Sequence, residues 1–84
     1  MSSEGSALSD RSSEKLVYMA NQIGKFFASQ GADKAPAAIA EHLRKFWDPR
    51  MRAGILAHLE AGGAGLEPLV RQAVERLRET TVAR

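Results

Sequence analysis

The sequence predicts an all-α fold: a compact bundle of three to four short helices behind a disordered N-terminal tail. Three observations point there. Apolar residues recur at three- and four-residue spacing in four successive windows, the signature of helices with one buried face. The breaks between those windows are helix-ending signals: Gln30-Gly31, Asp48-Pro49 and the run Gly62-Gly63-Ala64-Gly65. No segment alternates apolar and polar residues long enough to make a strand.

Residues 1–12 hold five serines and a glycine, with only Met1, Ala7 and Leu8 apolar. Such a stretch buries too little surface to offset its ordering entropy and is expected to be a flexible tail. The single small domain is therefore placed at residues 13–80. Ser12 or Ser13 is expected to cap the first helix, with Glu14 where the helix dipole favours an anion. Leu16, Met19, Ala20, Ile23, Phe26 and Phe27 cover an arc of roughly 120°, the width of a buried face. Tyr18, Asn21, Gln22 and Lys25 fall on the other side.

Asp33 is the expected cap of the second helix, with Pro36 tolerated in its first turn. Its predicted stripe is Ile39, Leu43 and Phe46, with His42 beside it and Trp47 on its shoulder. Pro49 cannot continue a helix and biases Asp48 away from helical geometry. Asp48 is also a good N-cap, followed by proline at the first helical position. One dipeptide thus closes the second helix and opens the third, which turns Met51, Ile55 and Leu59 to the core up to the glycine turn. The fourth helix starts near Leu66, with Leu69, Val70, Ala73, Val74 and Leu77 continuing its apolar face. Glu67 and Arg71 stand four apart in the order that favours a helical ion pair.

With 84 residues there is room for one core, at a size where a core is marginal and often leans on a partner. The absence of cysteine excludes disulfides, thiolate metal sites and cysteine-held iron–sulfur clusters. No window approaches the ~20 apolar residues that cross a bilayer, and the N-terminus lacks the basic and apolar regions of a secretory signal. A cytoplasmic protein is expected.

No catalytic, cofactor-binding or metal-binding set is expected in the chain. His42 and His58 lie on different helices and outside any metal-ligand spacing. The serines cluster in the tail, away from a histidine and carboxylate that could activate them. The glycine run follows a helix and precedes Leu66-Glu67-Pro68, so it reads as a helix-to-helix turn rather than a phosphate cradle. The remaining candidate is the joint His42–Arg52. It carries Arg44, Lys45, Arg50, Arg52 and the only tryptophan, and residues 41–52 account for the whole net charge of +2. Arginine beside an aromatic suits a protein interface. It also suits nucleic acid, through arginine on phosphate and tryptophan on a base. Partner-binding residues are expected at Tyr18, Asn21, Lys25, Arg44, Trp47, Arg50 and Arg52. A small helical nucleic-acid-binding module using the Arg44–Arg52 patch is the alternative, and a self-associating domain is a third reading.

Three blocks decide between these readings. Lys15 to Phe27 contains Met19-Ala20-Asn21-Gln22-Ile23. His42 to Arg52 contains Phe46-Trp47-Asp48-Pro49-Arg50-Met51. Leu59 to Val74 contains the glycine turn. In this order and spacing they resemble the delta subunit of the cytosolic NAD-dependent molybdenum or tungsten formate dehydrogenases. The resemblance implies a non-catalytic accessory subunit in an oxidoreductase complex that converts formate and NAD to CO2 and NADH. Its role would be assembly, cofactor maturation or stability of the catalytic subunit. The chain itself would hold no cofactor. Partner subunits would carry the bis-molybdopterin guanine dinucleotide metal site, iron–sulfur clusters, FMN and the NAD site. The large alpha subunit is the expected contact, and neither a membrane nor a nucleic acid is an expected partner.

Overall fold

A computed structural model describes residues 13–80 in full and the backbone of the terminal helices outward to Ser2 and Val82. Four α-helices follow one another: α1 (Ser2–Phe27), α2 (Ala35–Phe46), α3 (Pro49–Glu60) and α4 (Pro68–Val82). No strand occurs among the described residues. The tail expected over residues 1–12 falls outside the fully described residues. The helical backbone of α1 passes through Ser12 and Ser13, so neither opens the helix.

The core is built by α2 and α4, which share the broadest contact, with α1 and α3 packed against them. Ile39, Leu43, Ile55, Val70, Val74 and Leu77 are its largest fully buried side chains. These are the residues that the helical periodicities of α2, α3 and α4 select. On α1 the buried line is Ala20 and Gly24, flanked by half-buried Leu16, Val17, Ile23 and Phe27. That line is rotated from the expected stripe by roughly 60° at 100° per residue. Met19 and Phe26 are exposed as a result, Phe26 by 77%. The cause is small residues. A Cβ on Gly24 would lie 2.4 Å from Val70 Cγ2, so only glycine lets α4 approach this close.

The connections are made mostly by backbone and capping groups. α1 gives way to a 3-10 turn over Ala28–Gln30, which ends at Gly31 with φ 102°. Asp33 does not cap α2. The carbonyl of Gly31 accepts from the N–H groups of Lys34 and Ala35, at 3.2 and 2.8 Å, and thereby opens the helix. Asp48 does cap α3: its carboxylate accepts from the Met51 N–H at 2.8 Å, with Pro49 in the first turn. Between α3 and α4, Gly62, Gly63 and Gly65 all take positive φ. Arg71 donates to the carbonyl of Gly62 and forms no ion pair with Glu67 among the described residues. A cation on a carbonyl at the end of a helix offsets the negative pole there.

Candidate functional site: an exposed aromatic strip

The expected binding residues are not all accessible. Trp47 is the clearest correction. It is 5% exposed and belongs to the core. The reason is local: Trp47 is the C-cap of α2, its N–H bonded to the Leu43 carbonyl, and it stands one helical turn past buried Leu43 on the same side of the helix. It therefore cannot stack on a base, and the exposed aromatic of the joint is Phe46 instead.

The cations of the joint are also largely engaged within the chain. Arg52 donates to the carbonyls of Trp47 and Arg44 and so closes the C-terminus of α2. Arg44 pairs with Glu41 at 2.7 Å and Lys45 reaches the same carboxylate at 3.4 Å. The hydrogen bond from Arg44 chiefly, with help from Lys45, holds the Glu41 carboxyl below its ordinary range. Arg50 is exposed and has no ion pair or hydrogen bond among the described residues.

Asn21 acts inside the molecule. Its Nδ2 donates to the Gly65 carbonyl at 2.9 Å, and its Oδ1 accepts from the Glu67 N–H at 3.0 Å. One amide thus ties α1 to the loop between α3 and α4, using both its donor and its acceptor. The two other expected binding residues on α1 are accessible: Tyr18 is 65% exposed and Lys25 is also exposed.

What the periodic pattern missed lies at the other end of α1. The rings of Phe26 and Phe27 meet edge to face, with centroids 5.2 Å apart and planes at 86°. Phe27 meets His42 of α2 at 5.8 Å, and His42 meets Phe46 at 4.8 Å. The four rings make one continuous strip across α1 and α2. Its inner members, Phe27 and His42, are half-buried. Its outer members stand in solvent, Phe26 by 77% and Phe46 by 71%. The available signal was the presence of three phenylalanines, all near helix ends, and the pattern assigned each of them to the core.

The other histidine is elsewhere. His58 Nε2 lies 2.7 Å from the Ala64 carbonyl, which can only accept, so this nitrogen carries the proton. No group of three or more His, Cys, Asp or Glu residues able to hold a metal ion occurs among the described residues. No helix among them is long and apolar enough to cross a membrane.

The geometry defines a small all-α domain whose chemically versatile side chains mostly tie its own helix ends, with an aromatic strip left facing outward. A family profile described as the NADH-dependent formate dehydrogenase delta subunit, FdsD, matches residues 15–74. The chain belongs to that family. No curated protein and no solved structure matches it.

Proposed function

We propose that the chain is a non-catalytic accessory subunit, acting in assembly, cofactor maturation or stability of the catalytic subunit of an NAD-dependent formate dehydrogenase. The observation that carries this reading is the family match over residues 15–74, which runs from Lys15 in α1 into the first half of α4. The placement of side chains supports it. Asn21, Arg52, Arg71 and His58 are engaged by the chain's own backbone, whereas phenylalanine rings stand in solvent.

In this reading the chain works in the cytoplasm. The redox groups reside in its partners: the molybdenum or tungsten pterin site, iron–sulfur clusters, FMN and the NAD site. The large alpha subunit is the contact, and the accessible Tyr18, Lys25, Arg44 and Arg50 lie on the contacting surface.

The test is co-expression of the other subunits with and without this chain. Formate-dependent NAD reduction and pterin–metal content are then measured per mole of alpha subunit. Both should fall when the chain is omitted. Equal activity and equal metal loading would refute the accessory role.

A further inference from the structure

The strip Phe26–Phe27–His42–Phe46 is built like an anchor. Two half-buried rings hold two exposed rings from behind, with centroid distances of 5.2, 5.8 and 4.8 Å. Exposed aromatics fixed in this way lose little conformational freedom when a partner covers them, which lowers the cost of association. Aromatic side chains are also the residues that most often dominate binding energy at interfaces.

We propose that this strip docks the chain onto another formate dehydrogenase subunit, in an apolar pocket rimmed by carboxylates. The proposal rests on the accessory-subunit reading and adds the surface and the chemistry of its counterpart. The carboxylate rim follows from the charges flanking the rings along the chain. Lys25 precedes Phe26, and Arg44 and Lys45 precede Phe46. All three are exposed, and Glu41, which pairs with the latter two, is the one carboxylate among them.

A second copy of this chain is a poor occupant, because a symmetric dimer would bring the same cationic flanks together across its axis. At roughly 200 Å² per ring, the exposed parts of Phe26 and Phe46 offer only about 300 Å². A stable interface buries about 800 Å² on each partner. A larger subunit reaches the required area by extending along the outer face of α1. Phe26 continues there through Gln22 and Met19, at helical spacing, to Tyr18.

The test uses co-expression with the other subunits and compares the wild-type chain with the double variant Phe26→Ala/Phe46→Ala. Far-UV circular dichroism and a urea midpoint verify that the variant folds. The variant should associate at least about tenfold more weakly and fail to restore formate-dependent NAD reduction. Full restoration and association by the folded variant would overturn the anchor while leaving the accessory role intact. Activity that is independent of the chain altogether would overturn the accessory role itself. Lys25→Glu/Lys45→Glu should weaken association, most at low salt; unchanged association would remove the carboxylate rim. Sedimentation of the chain alone should show a monomer. A dimer that Phe26→Ala/Phe46→Ala dissociates would instead make a second copy the occupant.

Discussion

Phe46 and Trp47 are consecutive residues with opposite environments, and replacing each by alanine tests the fold sharply. Trp47 is 5% exposed. Its ring removes about 250 Å² from water, which at about 25 cal/mol per Å² sets an upper limit near 6 kcal/mol. Core Trp→Ala substitutions typically cost about 3–5 kcal/mol. A domain of this size has total stability on the order of 5–10 kcal/mol, so Trp47→Ala should remove about half of it. Phe46 is 71% exposed. The buried remainder is about 60 Å², worth about 1.5 kcal/mol at most. Alanine's better helix propensity returns about half a kcal/mol of that, so Phe46→Ala should cost about 1 kcal/mol or less. Equilibrium urea unfolding followed by circular dichroism measures both. In Phe46→Ala, Trp47 remains as the sole tryptophan, and its emission should still shift to the red on unfolding. If Phe46→Ala proves as damaging as Trp47→Ala, or Trp47→Ala costs under about 1 kcal/mol, the assignment of inside and outside at this joint is wrong.

Three further outcomes follow from the same packing. Asn21→Ala should cost about 1–2 kcal/mol through the loss of both ties to the loop between α3 and α4. Asn21→Asp should keep the bond from the Glu67 N–H but set a carboxylate oxygen against the Gly65 carbonyl, so it should cost stability as well; equal urea midpoints for wild type and Asn21→Ala would dismiss the tie. Gly24→Ala should cost about 1–3 kcal/mol by forcing a Cβ against Val70 Cγ2. In the Gly24→Ala/Val70→Ala double variant the loss should be smaller than the sum of the singles, and strict additivity would show that the two residues do not meet. Glu41 has a lowered carboxyl pKa because of Arg44 and then Lys45. Its pairing therefore stabilises the fold above the ordinary glutamate range and is lost as pH falls through the lowered value. The acid limb of a thermal-midpoint profile should be slightly shallower in Glu41→Gln, and the difference should shrink in high salt because the pair is exposed. An identical limb in both proteins would mean that the pair contributes nothing.

The four-helix order, the Asp48 cap, the glycine turn and the cores of α2, α3 and α4 were all legible in the sequence. Each rests on a local signal: a period of 3.6, a capping side chain, or a residue that tolerates positive φ. The face of α1 was not. Its buried line runs through Ala20 and Gly24, and a hydrophobicity pattern gives glycine no weight. Yet the lack of a side chain at Gly24 is what admits Val70 and sets the rotation of the helix. Once Gly24 faces α4, Phe26 must face away, about 200° further round at two residues' distance.

Periodicity fails for a second reason at the end of α2. Phe46 and Trp47 lie three and four residues past Leu43, on the two sides of the Ile39–Leu43 stripe, so the helical wheel alone does not say which ring enters the core. Trp47 takes extended angles as the C-cap, and its indole enters the core. Phe46, the last helical residue, stays outside against His42. The sequence therefore marked the right joint and the wrong ring. The same two departures, a glycine that turns α1 and an indole that takes the core position at the end of α2, leave Phe26 and Phe46 in solvent at the two ends of one aromatic strip. Each phenylalanine alone would be an ordinary exposed apolar residue. Joined through Phe27 and His42 they form a continuous apolar surface, which is the kind of feature that marks an interaction site.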